Sequence, residues 1–141
     1  MSIEIITRRA PEDRRSVALN PAALPTIKAG QILQKIGGFA VLADGAAPIP
    51  DPMWAFTQTG RLDTDISKSV TIVEAPFSAK VNSDCYVGSP AAGNALKVGT
   101  GADKGKLVVA TLPADQSAAL VVAFCVTGPD ADNKIEIKAV R

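Results

Sequence analysis

Glycine and proline punctuate this chain so often that its apolar residues come only in short runs. Eleven glycines and ten prolines, with clusters of Asp and Asn, separate them. Alternating or β-branched runs bounded in this way predict strands. QILQKI (31–36) alternates and meets Gly37 and Gly38, a hairpin turn into FAVLA (39–43). DGAAPIPDP (44–52) is a loop, because Pro48, Pro50 and Pro52 forbid regular structure and favour an extended, polyproline-like course. MWAFT (53–57), SVTIVEA (69–75), FSAKV (77–81) and DCYVG (84–88) read as further strands. ALKVG (95–99) leads through TGADKG into KLVVATL (106–112), a hairpin with a polar, Gly-rich tip. AALVVAFCVT (118–127) is continuously apolar, as a strand buried on both faces would be. KIEIKAV (134–140) alternates, which turns Ile135, Ile137 and Ala139 inward and Lys134, Glu136 and Lys138 outward. Only LPADQSAAL (112–120) has room for a turn or two of helix. About ten short strands spaced roughly 8–12 residues apart predict an all-β domain, a small β-barrel or sandwich.

At 141 residues the chain has the size of one domain and can bury a core without metal or disulfide help. Aromatic residues make up only 4%, so Ala, Val, Ile and Leu must fill the interior. The predicted organisation is an extended N-terminal arm, residues 1–25, ahead of a β domain, residues 26–141. The arm holds four of the six arginines, Arg8, Arg9, Arg14 and Arg15, and is interrupted by Pro11, Pro21 and Pro25. Glu4, Glu12 and Asp13 offset those arginines to about +1 over the first fifteen residues, too little for a phosphate-binding arm.

Composition narrows the chemistry further. Histidine is absent, which removes the commonest general base and the commonest metal ligand. A net charge of +1 gives no global field to steer nucleic acid. No segment resembles a signal peptide or reaches the length of a membrane span. Cys85 and Cys125 sit in apolar or alternating segments, as free thiols buried like small hydrophobes or as a bridge between neighbouring strands. GTGADKG (99–105) lacks a following helix to hold a phosphate, and DADNK (130–134) lacks the glycine and glutamate of a calcium loop. Asp63 and Asp65 share a face of any strand there and lie in a locally acidic stretch. Residues 40–65 carry four Asp against one Arg. The pair fits a solvated or partner-facing acidic patch, or a site for a hard cation or acid–base work. Trp54 and Phe56 also share a face, as core or as a stacking pair. No catalytic constellation, metal site or cofactor is expected.

An interaction protein fits what remains. The arm carries apolar stops among its charges, and SIEII (2–6) and SVAL (16–19) are each suited to adding a short strand to a neighbour's sheet edge. Its arginines suit bidentate pairing with carboxylates across an interface. The candidate partner-binding residues of the arm are therefore Ile3, Ile5, Arg8, Arg9, Arg14, Arg15, Val17 and Leu19. The candidate partner-facing loop residues are Asp44, Pro48, Pro50, Asp63 and Asp65.

LPTIKAGQILQKIGGFAVLADG (24–45), VNSDCYVGSPAAGNALKVG (81–99) and AFCVTGPDADNKIEIKAV (123–140) follow one order: a hairpin, Gly/Ala-rich loops, a late apolar strand and a closing alternating strand. In that order, over roughly residues 18–141, the chain resembles the small β-rich head-decoration, or cement, proteins of tailed bacteriophages. The resemblance implies a protein made in the host cytoplasm that joins the virion on the capsid's outer surface. It implies the major capsid protein as partner, a homotrimeric assembly, no direct contact with nucleic acid or membrane, and stabilisation of the shell against the pressure of packaged DNA. The arm would then lie across a neighbouring subunit. The alternative is a carbohydrate- or receptor-binding β module of a virion fibre, with Trp54, Phe56 and Tyr86 as its stacking residues. Exposure of Trp54 separates the two readings.

Overall fold

The computed structural model describes residues 4–8, 15–21, 26–56 and 69–141. Among the described residues, eleven strands form two antiparallel sheets, joined by loops and short 3-10 turns. In chain order they are β1 Glu4–Arg8, β2 Arg15–Ala18, β3 Ile32–Ile36, β4 Phe39–Leu42, β5 Met53–Ala55 and β6 Ser69–Val73. β7 Phe77–Val81, β8 Ala95–Val98, β9 Leu107–Val109, β10 Val121–Thr127 and β11 Ile135–Ala139 complete the set. The six-stranded sheet runs β1-β7-β11-β10-β8-β9, and the five-stranded sheet runs β2-β6-β5-β3-β4.

The two sheets form a sandwich. From the five-stranded sheet, Ile32, Trp54 and Val73 line up in register across β3, β5 and β6 and point into the space between the sheets. Phe77, Ala79, Ile135, Ile137, Cys125, Leu96, Val98 and Leu107 of the six-stranded sheet meet them there. Trp54 is fully buried and stands edge-on to Phe77, with ring centroids 5.4 Å apart and planes at 86°, the arrangement ring quadrupoles favour. Its indole N–H donates to the Arg141 carbonyl at 3.0 Å. The Arg141 guanidinium in turn donates to the carbonyls of Ala119 and, at 3.2 Å, Ile49. The last residue thus ties the inter-sheet core to two loops.

The five-stranded sheet is buried on its other face as well. Leu33, Ala40, Met53, Ala55, Val70, Ile72 and Val17 share that face and pack with Leu19 and Ile27 in a second core. The edge strands β2 and β4 lie close to each other. Among the described residues no ladder joins them, so the sheet curls without closing into a barrel.

Most of the expected strands form where their patterns place them. β7 matches FSAKV residue for residue, and β11 buries Ile135, Ile137 and Ala139. DCYVG is not a strand: Ser83–Cys85 is a 3-10 turn capped by the Asn82 side chain, and Tyr86 makes only an isolated bridge to Leu107. In an Asn-Ser-Asp run, local side-chain hydrogen bonds compete with the ladder. The expected helical turn in residues 112–120 is the 3-10 turn Pro113–Gln116.

Candidate functional site

The outer face of the six-stranded sheet carries a feature its sequence hides. β10 holds two β-bulges. Val121 opposes Lys97 and Ala123 opposes Leu96, leaving Val122 extra. Cys125 opposes Ile137 and Thr127 opposes Glu136, leaving Val126 extra. Each bulge resets the in–out alternation. Between them, Ala123 and Cys125 face the core while Phe124 faces out, between Lys138 of β11 and Ala95 of β8. Phe124 is 43% exposed, and Val126 and Val140 on the same two chain segments are 45% and 40% exposed. The expectation that residues 118–127 are buried on both faces is corrected accordingly. Val121 to Ala123 and Cys125 are buried, but Phe124 and Val126 are not. Ser78 and Lys138 continue the row of Phe124, and Lys80 and Glu136 form the next row.

The loop of residues 44–52 is a second surface feature, and it is fixed at several points. The Gly45 N–H donates to the Gly99 carbonyl at 2.9 Å. A Cβ on Gly45 would lie 1.8 Å from the Val98 carbonyl oxygen, so only glycine permits this approach. Asp44 turns inward on its own loop: its Oδ1 accepts from the Ala46 N–H at 3.0 Å, its N–H donates to Gln34 Oε1, and Lys104 lies 3.9 Å from its other oxygen. Ile49 is buried against Val98 and Val122, while Pro48, Pro50 and Asp51 are exposed. Asp51 adopts a left-handed φ of 47°. The result is a pre-ordered ridge with two prolines and a carboxylate on its crest.

The arm residues divide. Val17 and Leu19, expected to face a partner, are instead core residues, 4% and 2% exposed in the second core. Their apolar character is used within the chain. Arg15 is exposed, and its Nε donates to Glu74 Oε1 at 2.7 Å within the same chain. Ile5 and Arg8 lie in β1, whose backbone pairs antiparallel with β7, Ile5 opposite Ala79 and Arg8 opposite Phe77. β2 pairs with β6. Both strand-forming pieces of the arm therefore extend this chain's own sheets, where a neighbour's edge was expected. Ile3, Arg9, Arg14, Asp63 and Asp65 lie outside the described residues.

The remaining candidates are structural. Cys85 and Cys125 are both free and buried. Burial pushes the Cys85 thiol up to about 12, with Asp84 adding to the effect, and its Sγ donates to the Ala29 carbonyl at 2.9 Å. Burial also raises Cys125. Neither thiol is poised as a nucleophile at neutral pH. The Tyr86 hydroxyl donates to the Asn133 carbonyl at 2.6 Å, so the ring braces the turn before β11. In that turn Asp130 Oδ1 accepts the N–H groups of Lys134 and Asp132, which hold the carboxyl below its usual range. With Trp54 and Tyr86 buried and Phe56 packed against the core, the three aromatic residues do not assemble a stacking platform. Among the described residues, no group of three or more His, Cys, Asp or Glu is placed to hold a metal ion. No helix among them is long and apolar enough to cross a membrane. A scan of protein-family models and a search of curated proteins each find no match to the chain.

Proposed function

We propose that this chain is a capsid-decoration protein, a rigid β body that binds the outer surface of a mature phage head and stabilises the shell. The observation that carries the reading is the inversion of its aromatic residues: Trp54 is sealed inside while Phe124, on a central strand, faces solvent with Val126. The sugar-binding alternative rests on Trp54, Phe56 and Tyr86 as stacking residues, and with Trp54 and Tyr86 buried that set offers no exposed indole face to a sugar. An apolar patch bordered by charge suits a protein surface. The order of elements in the sequence supplies the more specific expectation of a phage shell. The physical principle is linkage. A protein that binds the expanded lattice and not its precursor shifts the equilibrium toward the expanded form, and many copies add their effects.

Co-sedimentation with phage heads tests this. Heads of the phage encoding the chain, stripped of decoration, are expected to carry the protein to the pellet when expanded and to leave it in the supernatant as precursor. Decorated heads are expected to withstand heating that bursts bare ones. Equal recovery in the supernatant with both kinds of head would refute the reading.

A further inference from the structure

We propose that the outer face of the six-stranded sheet, centred on Phe124, seats the proline ridge of a second copy of this chain, with Asp51 meeting Lys138. The two surfaces match in shape class and in charge. The face offers an exposed aromatic ring beside two valines, with Lys138 directly opposite Phe124 and Lys80 one row away. The ridge offers Pro48 and Pro50 on its exposed side and Asp51 at its end, while Ile49 between the prolines anchors it from below. Proline rings pack well on aromatic surfaces, and their fixed φ leaves little conformational freedom to lose.

The ridge is ordered before any partner arrives. The Asp44 and Gly45 N–H groups tie its start to Gln34 and Gly99, and the Arg141 guanidinium holds the Ile49 carbonyl farther along. Docking it therefore costs little in loop ordering, one of the costs that weaken association. Charge favours a second copy as the occupant. Residues 44–52 hold two Asp and no Lys or Arg, and Asp51 at the exposed end of the ridge is the one placed to meet a cation on a second copy. Lys138 and Lys80 stand on the receiving face, with Glu136 beside them. Both surfaces are exposed in the single chain, so they do not satisfy each other within it. A donor and an acceptor on one chain let the same contact repeat between copies and close with rotational symmetry.

Sedimentation velocity of the full chain over a concentration series, with no shell present, tests the contact. A shift to faster species with concentration is expected. Phe124→Asp and Asp51→Lys are each expected to weaken association by about tenfold or more, as loss of a central interface residue does. Both positions are exposed, and thermal melting compared with the unchanged chain verifies that each variant folds. One mixture and one double variant discriminate further. Phe124→Asp keeps an intact ridge and Asp51→Lys keeps an intact face, so the two variants together are expected to form pairs that neither forms alone. Joining Asp51→Lys with Lys138→Asp in one chain is expected to recover self-association. A chain that stays monomeric throughout, or one whose association survives both single variants, overturns the proposal. Because no shell takes part, that outcome is separate from failure to bind heads.

Discussion

Gly45→Ala probes the geometry that holds the proline ridge. The φ of Gly45 lies outside the left-handed region, so an alanine there meets no backbone strain of its own. The penalty is steric. The new Cβ would lie 1.8 Å from the Val98 carbonyl oxygen, 2.6 Å from its carbon and 3.2 Å from the Gly99 oxygen. All three are main-chain atoms of β8 or its end, which no rotamer change can move aside. The loop must lift by more than an ångström, and the 2.9 Å bond from the Gly45 N–H to Gly99 is lost or stretched. Overpacking of this kind costs about 1–3 kcal/mol, and the hydrogen bond about another 1 kcal/mol. Stiffening the unfolded chain returns roughly 0.4–1 kcal/mol. The net expectation is a loss of about 2 kcal/mol, or roughly 6 °C in Tm for a domain of this size. Chemical denaturation followed by Trp54 fluorescence measures it directly. Gly38→Ala is the control: its φ of 86° carries backbone strain, but nothing lies within 4 Å of the added carbon. That variant is expected to lose about 1 kcal/mol from strain alone and to leave the ridge in place. A Gly45→Ala protein within 0.5 kcal/mol of the unchanged chain, against the ~2 kcal/mol expected from overpacking, would refute the close approach. Lifting the ridge should also weaken self-association, whereas Gly38→Ala should not.

Trp54→Phe removes the indole N–H that serves the Arg141 carbonyl and leaves a smaller ring against Phe77; a loss of about 2–3 kcal/mol is expected in urea titration. Tyr86→Phe deletes only the 2.6 Å bond to Asn133 and is expected to cost about 1 kcal/mol by the same measurement. The Cys85 thiol ordinarily titrates at 9.0 and is pushed up to about 12 by burial. The folded chain therefore holds a proton that the unfolded chain releases, and the stability tied to it is full below pH 9.0 and lost as pH rises toward about 12. Denaturation at stepped alkaline pH should show that decline in the unchanged chain and a shallower one in Cys85→Ala. A thiol reagent at pH 8 should label neither cysteine until denaturant is added, since burial raises both thiols. Removing residues 1–9 takes away β1 and opens the β7 edge. The domain is expected to fold, because β7 keeps β11, but to scatter light at concentrations where the full chain stays clear.

The sheets were legible wherever one period-2 pattern ran without interruption. Ile135, Ile137 and Ala139 of β11 and the hairpin across Gly37 and Gly38 needed nothing beyond alternation and turn chemistry. β10 was half legible. Its apolar run identifies a strand, but Val122 and Val126 are bulged residues, and only the partner strands decide which residue of an apolar run becomes the extra one. The outward position of Phe124 is therefore unmarked, because VVAFCV contains no polar residue to distinguish its outward positions. The second core was illegible for a related reason. Leu33 and Met53 follow and precede residues that face the first core, Ile32 and Trp54, so burial on both faces reads as a plain apolar doublet. The acidic ridge was visible as a Pro-rich loop, and its rigidity was not, because Gly45 meets Val98 and Arg141 meets Ile49 only across long sequence separations.

The arm shows a different limit. Its short apolar stops correctly mark two strand-forming pieces, yet nothing in a five-residue strand states which edge it will join. The hydrogen bonds of β1 with β7 are the same whether β1 comes from this chain or from another. What selects the edge is effective concentration. A strand tethered to its acceptor meets it far more often than one that arrives by diffusion. Here the first eighteen residues supply an edge strand to each sheet, β1 to one and β2 to the other. The buried Val17 and Leu19 show that at least the second of these belongs to the fold. On the proposed reading, Val17 and Leu19 are spent on the fold, and recognition of a partner would rest on surfaces that the described residues leave exposed, chiefly the Phe124 face and the ridge at Pro48, Pro50 and Asp51.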